Sequence, residues 1–534
     1  MESGFWIVWR KKFRCFSSDC FKLTDSSLFD ENKREDKIKI LMAENTSNTQ
    51  QAFWVGIGSL FSFGFTIVSS MILSRYFDKG DYGTYKQVIY VYNTLLTVFT
   101  LGLPKAFSYY LPRVPLNEAK NLINKITNLF YLLGGIFSVL LFVFSAQIAF
   151  FLKNPDLSLA IKIFSPVPLL MLPTMGLESI LATYRKTQFI TIYTISTRIF
   201  MLLCVVLPVI IFKGTYIHAI IGFVVASVLT FALSIYFKFL PVRQEANDKC
   251  KISYPEIFKF SFPLLYASLW GMLIGSADQF FISRYFGNEI FADFSNGSLE
   301  LPFVGMIVGA GSTVLGPLFS RQVHEKADIK KEILPLWISV FEKTAKIIYP
   351  LVLFFWFFAD IVMVLLYGAQ YENSGIYFRI KLIVNFFTMI TYAPLVLAIG
   401  ATKFYAKVHM YGAILLVLLE YVSILMFNSP YVITAVSVIC QIGRILALLI
   451  FLSKYFNINL LELFPIKLIV KILFPSIIIL LVIRFGIINF IPLNNLMVLV
   501  VGFIAYCLFY FTWSYFAKID NLSIIKPLLL RLKK

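Results

Sequence analysis

The chain reads LSRYF at residues 73–77 and ISRYF at residues 282–286. Each copy ends an apolar run of the length that an α-helix needs to cross a bilayer, about 20 residues. The two copies are 209 residues apart, and at the same spacing Gly102 falls on Gly311. This repeat predicts a chain of two similar halves, each built from membrane-spanning helices.

The composition supports a membrane protein. The 534 residues are 59% hydrophobic and only 14% charged, whereas a soluble protein is typically about 45–50% apolar and about 25% charged. The 56 Phe and 28 Tyr exclude a disordered chain. Six scattered Cys exclude a disulfide-rich secreted scaffold. The class that remains is a polytopic membrane protein.

Fourteen apolar runs are long enough to span a bilayer, and we number them one to fourteen in chain order. They are residues 53–74, 88–110, 128–152, 160–182, 190–212, 216–237, 261–283, 294–318, 347–367, 376–399, 409–427, 431–453, 468–490 and 496–517. The runs lack the two-residue alternation of membrane barrel strands. The sequence therefore predicts an all-α fold of about 14 transmembrane helices.

The basic residues lie mainly on one side of the membrane. Of the 48 Lys and Arg, 34 lie in tails and gaps on one side, six on the other and eight within spans. Since cytoplasmic segments are enriched in Lys and Arg, both termini are expected to be cytoplasmic, including a tail at 1–52 and a basic tail at 518–534. The net charge of +19 then reflects topology and contact with membrane lipids, and nucleic acid is not an expected partner.

The span count fixes the relation between the halves. Six spans is an even number, so both halves enter the membrane from the same side and the repeat is parallel. We expect an N-terminal six-helix lobe at 53–237, a cytoplasmic linker at 238–260, a C-terminal six-helix lobe at 261–453 and two appended helices at 468–517.

Gly and Pro occur at corresponding places in the two halves. Span two contains Gly102 and Pro104, and span eight contains Gly311 and Pro317. Interrupted helices at matching positions are typical of transport pathways, although membrane helices also tolerate single Gly and Pro residues. We predict that both spans are broken at these residues.

The gaps between spans leave no room for a soluble enzyme domain. The longest gap is 319–346, and the longest one on the non-cytoplasmic side is 75–87, whereas a domain needs on the order of 100 residues. The sequence has no phosphate-binding loop of an ATPase. His218, His324 and His409 are far apart and lack metal-ligand spacing, so no metal and no cofactor are expected. Transport, not catalysis, is the expected activity.

The stretch LSRYFDKGDYG at 73–83, then GLPKA at 102–106 and a basic loop, resembles the opening of polysaccharide-biosynthesis flippases. These are the Wzx-type O-antigen exporters of the multidrug/oligosaccharidyl-lipid/polysaccharide exporter superfamily. The resemblance implies two six-helix lobes plus two helices. It implies transfer of undecaprenyl-pyrophosphate-linked oligosaccharide across a bacterial inner membrane, to the periplasmic leaflet, for surface polysaccharide such as lipopolysaccharide. Other polysaccharide-assembly proteins are expected partners.

Two other functions stay open. One is a cation-coupled exporter of drugs or metabolites from the same superfamily, which typically has twelve spans. The other is a membrane-embedded glycan polymerase or transferase, which usually has a long outward loop. The appended spans and the short outward loops favour the flippase.

Basic residues inside the spans are candidates for binding an anionic lipid headgroup. A charge near the bilayer centre costs at least about 2.5–3.5 kcal/mol, so such residues usually face protein or water. Arg198 and Arg444 lie near the middle of spans five and twelve, and Lys105 follows the Gly102–Pro104 break. Arginine binds phosphate oxygens bidentately and stays charged when buried. The alternative is that each basic residue is neutralised by a buried carboxylate.

Acidic residues inside the spans have two candidate roles. Asp278, Asp360, Glu420 and Glu178 are predicted either to bind a coupling proton or sodium ion or to form charge pairs. The basic residues close to span ends are expected to snorkel to the membrane surface. They are Lys162, Arg379, Lys381, Lys471 and Arg484.

Overall fold

A computed structural model describes residues 48–390, 392–490 and 494–521. Within these ranges the chain is helical and has no β-strand. Eleven of the described helices are long and apolar enough to cross a membrane, or up to 13 if each of two bent helix pairs is one span. The prediction of an all-α, polytopic membrane protein is confirmed. The predicted tails at 1–52 and 518–534 lie almost wholly outside the described residues.

The predicted first lobe contains short helices wherever Gly, Pro or a left-handed residue interrupts a span. Its helices are α1 (Asn48–Tyr76), α2 (Lys79–Phe99), α3 (Pro104–Tyr110), α4 (Leu116–Val143), α5 (Ser145–Phe151), α6 (Asp156–Phe164), α7 (Val167–Met171), α8 (Leu177–Thr183), α9 (Thr187–Met201), α10 (Leu207–Ile211) and α11 (Tyr216–Phe239).

The predicted second lobe and the two appended helices follow. They are α12 (Tyr254–Gly297), α13 (Pro302–His324), α14 (Leu334–Phe357), α15 (Ala359–Tyr367), α16 (Ser374–Leu382), α17 (Asn385–Thr388), α18 (Tyr392–Ala398), α19 (Thr402–Phe427), α20 (Pro430–Phe456), α21 (Ile466–Phe490) and α22 (Asn495–Phe516). The appended helices pack on each other, and Trp513 Nε1 donates to the Lys471 carbonyl at 3.1 Å. They also pack on α14, where the rings of Phe354 and Tyr506 are 6.1 Å apart.

The segment predicted as span two, residues 88–110, differs from the other spans. Its helix α2 starts at Lys79, nine residues before the predicted span, and α3 has only seven residues. The first two turns of α2 carry Lys79, Asp81 and Lys86, so α2 is not among the helices apolar enough to span a membrane. Instead α2 packs against α12, in the most extensive contact between two described helices.

Only one of the two predicted breaks is found at the predicted residues. Between α2 and α3 the backbone of Leu101 and Gly102 is left-handed, with φ of 48° and 70°, and α3 starts at Pro104. Gly311 and Pro317 were expected to break span eight, but they lie inside the continuous helix α13. The second-half interruption comes earlier, at residues 298–301, because Pro302 is preorganised to start a helix and not to continue one.

Other breaks do correspond between the halves. In the first, α4 and α5 meet at Phe144, and Lys153 just beyond α5 has φ of 52°. In the second, α14 and α15 meet at Phe358 with a bend of 74°, and Gly368 just beyond α15 has φ of 103°. Spans three and nine therefore share one pattern, a long helix, a short helix and a left-handed residue.

The predicted linker at 238–260 is shorter in the structure and is attached to the first lobe. Only residues 243–253 lie outside helices. The backbone N–H of Asp248 donates to the Asn117 carbonyl at 2.9 Å, and Lys125 Nζ donates to the carbonyls of Cys250 and Ile252 at 2.8 and 3.0 Å. Because α4 supplies these partners, the linker follows α4 until α12 begins.

The close approach of α2 to α12 predicts a strict requirement for glycine at position 83. A Cβ at Gly83 would lie 2.0 Å from the Asn288 carbonyl oxygen, whereas a Cβ at Gly64 on α1 would meet nothing within 4 Å. We expect Gly83→Ala to lower the free energy of unfolding by about 1–3 kcal/mol, as overpacking does. Gly64→Ala, the matched control, should leave it unchanged. Thermal unfolding of the detergent-solubilised protein measures both, and equal melting temperatures would contradict the prediction.

Candidate functional site

Helices α1, α8 and α9 surround an open cavity of about 350 Å³. We call it the Arg198 cavity. Its polar lining consists of the side chains of Ser59, Ser62, Thr66, Glu178, Thr191, Thr194 and Arg198. A cavity with one cation, one carboxylate and five hydroxyl groups can hydrogen-bond both an anion and a polyhydroxylated molecule.

Arg198 is available in this cavity. Its Nε donates to Ser62 Oγ at 2.8 Å, and in the described part of the chain this is its only hydrogen bond. No described carboxylate lies within ion-pair distance of it, although Glu178 lines the same cavity. Glu178 enters the cavity because span four breaks at Gly176, whose φ is 82°, and restarts as α8. The structure thus brings two of the predicted site residues together.

Arg444 lies in a different cluster, in the predicted second lobe. It projects from α20 over α19, where a Cβ at Gly412 would come within 2.3 Å of its Cδ atom. Tyr392, Tyr405 and His409 are close enough to interact with its charge. No described residue forms an ion pair with Arg444, and none of these neighbours lines the Arg198 cavity.

Lys105 belongs to neither site. It is the second residue of α3, it is exposed, and no described residue pairs with it. The break before α3 places Gly102 against α12, where a Cβ would lie 2.9 Å from the Leu264 Cβ. The break therefore serves helix packing, and the predicted grouping of Lys105 with Arg198 and Arg444 is not what this conformation contains.

Asp360 holds two arginines. Its Oδ1 accepts from Arg379 Nη2 at 2.9 Å, and its Oδ2 accepts from Arg484 Nη2 at 2.5 Å. Arg484 lies on the appended helix α21, so this pairing ties α21 to α15 and α16. The expectation that Arg379 and Arg484 snorkel is wrong, because both point at a carboxylate inside the protein. Of the two roles left open for Asp360, this conformation contains the charge pair.

A second cluster surrounds Glu420 on α19. Lys381 of α16 is hydrogen-bonded to the Asp278 carboxylate of α12 and lies 3.5 Å from Ser437 Oγ. Lys381 therefore also does not snorkel. Glu420 is fully buried beside this pair, and neither of its carboxylate oxygens has a hydrogen bond among the described residues. Such a group is unusual, since nearly all buried polar atoms are hydrogen-bonded.

A row of polar contacts, which we call the seam, joins α2 to α12. Tyr82 Oη donates to Asn296 Oδ1 at 2.9 Å, and Gln87 Nε2 donates to Ser283 Oγ at 2.8 Å. Lys79 pairs with Asp293 at 3.0 Å, with the carboxylate nearly buried. The seam lies at the end of the molecule predicted to face away from the cytoplasm, and it joins the two predicted lobes there. Among the described residues, no group of His, Cys, Asp and Glu could hold a metal ion.

The family model described as polysaccharide biosynthesis protein matches residues 49–323, just over half of the chain. The chain belongs to this family. Comparison with curated proteins gives no match.

Solved structures share the fold of this chain. Lipid II flippase MurJ in an inward closed conformation has a TM-score of 0.69 at 17% identity, over 88% of this chain and 99% of that one. An inward-facing multidrug resistance MATE family transporter of the MOP superfamily has a TM-score of 0.59 at 11% identity, over 79% and 97%. A Vibrio cholerae MATE transporter in a bent form has a TM-score of 0.51 at 13% identity, over 81% of this chain and 100% of that one. The chain thus has the fold of these transporters, and its apolar helices make it a multi-pass membrane protein.

One buried cation was not predicted from the sequence. Lys238 was expected in the cytoplasmic linker, yet it is the penultimate residue of α11 and is fully buried. Its Nζ donates to the carbonyls of Pro173 and Met175 at 2.7 and 3.1 Å and lies 4.9 Å from the Phe107 ring centroid. It thereby fixes the break that precedes Gly176 and Glu178. The only feature of the sequence that could have indicated this buried lysine was the break in span four, because a break leaves carbonyls without partners within the helix.

The Asp360 pairing predicts a large stability effect. Asp360→Asn removes the countercharge of Arg379 and Arg484. Because the three side chains are 20–31% exposed, we expect it to lower the free energy of unfolding by about 2 kcal/mol, between the effects of breaking an exposed and a buried ion pair. The matched control is Glu325→Gln, which breaks the exposed pair between Glu325 and Arg321 and should cost under about 1 kcal/mol. Denaturation of the purified protein measures both; an equal effect would mean that Asp360 contributes no more than a surface residue.

Proposed function

We propose that this protein is a flippase that moves undecaprenyl-pyrophosphate-linked oligosaccharide from the cytoplasmic to the periplasmic leaflet of a bacterial inner membrane. Its two lobes would work by alternating access, with both termini in the cytoplasm, in the assembly of O-antigen or a related surface polysaccharide. The family description and the transporter fold support this proposal. The excess of Lys and Arg on the side that carries both termini supports the orientation.

The observation that carries the proposal is the Arg198 cavity. To bind a cargo that contains a pyrophosphate and sugars, a site needs a cation to pair with the pyrophosphate and hydroxyl groups to hydrogen-bond the sugars. Arg198 is charged, exposed in the cavity and bound only to one serine among the described residues. An unpaired guanidinium within a membrane-spanning helix is costly unless it faces a cavity, which favours a ligand-binding role. Arg444, in span twelve, is the second candidate for binding the headgroup.

Glu420 supports coupling to a cation. Burying a carboxylate without a hydrogen bond is unfavourable, and the penalty falls when the group is neutral or acquires a cation. Its neighbours are Asp278, Lys381, Tyr90 and Cys440. We propose that Glu420 exchanges a proton or a sodium ion during the cycle and that Lys381 and Asp278 remain its charged surroundings.

Deletion in the native bacterium tests the proposed activity. If the protein is the flippase, lipid-linked repeat units accumulate in the cytoplasmic leaflet and surface polysaccharide is lost, and the wild-type gene restores it. Unchanged surface glycan together with altered drug tolerance would instead identify an exporter of drugs.

Arg198 is expected to be essential in that assay. Arg198→Gln should lower export by about tenfold or more at equal protein level, since it removes charged hydrogen bonds worth about 1.5–3 kcal/mol. Arg198→Lys should restore part of the activity because it keeps the charge without the planar fork. Lys162→Gln, which removes an exposed cation that does not line the cavity, is the matched control. Wild-type glycan in Arg198→Gln would mean that Arg198 is structural.

The coupling role of Glu420 predicts a different pattern. Glutamine has nearly the same shape as glutamate but cannot exchange an ion. In Glu420→Gln, export should therefore stop while protein level and melting temperature stay normal. Glu420→Asp should keep some export. Glu300→Gln, an exposed carboxylate within predicted span eight, is the control. Full export by Glu420→Gln would exclude coupling at this residue.

A further inference from the structure

The repeated motif, LSRYF at 73–77 and ISRYF at 282–286, places one arginine at the same position in each half. Arg75 follows Ser74 at the end of α1, and Arg284 follows Ser283 in α12. Both lie at the seam end of the molecule. Neither forms an ion pair with any described carboxylate, so their charges are not explained by a salt bridge.

Each arginine instead reaches into the other half. The Arg75 guanidinium donates to the carbonyl oxygen of Leu365, in the last turn of α15. The Arg284 guanidinium donates to the carbonyl oxygen of Phe151, the last residue of α5. Helices α5 and α15 are the equivalent short helices of spans three and nine. The two contacts are therefore equivalent under the internal repeat and run in opposite directions.

The acceptors suit a cation. The last carbonyls of a helix have no partner within the helix and carry the negative end of its dipole. Both short helices end at a left-handed residue, Lys153 and Gly368, which exposes these carbonyls to the neighbouring half. An arginine can therefore bind there with no carboxylate present.

Neighbouring polar groups strengthen both contacts. On one side Ser74 Oγ donates to the Tyr367 carbonyl at 3.3 Å, and Gln370 Nε2 donates to the Ser74 carbonyl at 2.8 Å. On the other, the Arg284 guanidinium lies 4.7 Å from the Phe151 ring centroid, and Gln87 binds Ser283. Arg284 is half-buried and Arg75 is exposed, so water competes more strongly at Arg75.

We infer that Arg75 and Arg284 form a reciprocal clasp between the two lobes, which must release before the seam end can open. A charged donor on a neutral carbonyl suits this purpose. A charged hydrogen bond is stronger than a neutral one, yet no carboxylate is left unpaired in the other lobe once water replaces the arginine. The inference rests on the proposed alternating access but not on the proposed cargo.

Cysteine accessibility in the purified, full-length protein tests the clasp. Ser283→Cys, in a chain whose six native cysteines are replaced, puts a reporter in the buried seam, and Ser59→Cys puts one in the Arg198 cavity. We expect Arg284→Gln to speed maleimide labelling at position 283 by about tenfold, the effect of losing one charged hydrogen bond. Arg75→Gln should speed it by a smaller factor, because Arg75 is more exposed to water. If the two contacts act independently, the double variant should approach the product of the two effects. Labelling at position 59 should not rise.

Lys213→Gln is the matched control, because Lys213 is an exposed cation at the same end and has no described partner. Arg75→Lys and Arg284→Lys should lie between wild type and the Gln variants. An unchanged rate at position 283 in the double variant overturns the clasp. Equal acceleration at positions 283 and 59 also overturns it, since it indicates general loosening of the fold. The labelling assay contains no cargo. It can therefore contradict the clasp without contradicting the proposed export activity, and the export assay can do the reverse.

Discussion

The hydrogen bonds between α2 and α12 join the two halves of the chain, and the positions of the neighbouring helices depend on them. These bonds join neutral groups, Tyr82 with Asn296 and Gln87 with Ser283. Asn154 Nδ2 also donates to Gln87 Oε1 at 2.6 Å. In a bilayer, helices gain little by burying apolar surface against each other, because lipid tails are equally apolar. Polar pairing and close packing at small residues such as Gly83 therefore decide which faces meet. This explains why α2 is too polar to count as a span while it packs most extensively.

The charges within the spans separate into two kinds. Asp360 and Asp278 each hold basic residues at hydrogen-bond distance, and these pairs connect helices that are distant in the sequence. Arg198 and Glu420 have no such partner among the described residues. A charge that only stabilises a fold is expected to be paired, since an unpaired buried charge is strongly destabilising. The functional proposal therefore rests on the unpaired groups, Arg198 and Glu420. The paired Asp360 explains how the appended helix α21, which carries Arg484, is attached.

The sequence predicts those features that depend on local composition. Apolar runs predicted the helices, and the Gly102–Pro104 break was predictable because a glycine that can be left-handed and a helix-starting proline lie two residues apart. Features set by tertiary contacts were not predictable. Gly311 and Pro317 resemble a break, yet α13 continues through them, since neighbouring helices can satisfy a carbonyl that proline frees. Lys238 looked like a loop lysine because its acceptors, at Pro173 and Met175, come from another span. Arg484 looked like a snorkelling residue because its partner lies 124 residues away.

The two ends of the molecule differ in what holds the halves together. At the end opposite the seam, α3 meets α12 through partly exposed aromatic rings. Tyr109 stacks on Phe260 at 4.3 Å beneath the Arg113 guanidinium, and Tyr110 Oη donates to the Glu256 carbonyl at 3.0 Å. This contact is short and already exposed, so separating it uncovers little buried surface and leaves few hydrogen bonds unmade. The seam requires many buried polar groups to lose their partners unless water enters at the same moment. If the two halves work by the proposed alternating access, this asymmetry favours closure at the seam and access from the opposite end, and opening the seam then requires water or a bound cargo to satisfy its hydrogen bonds.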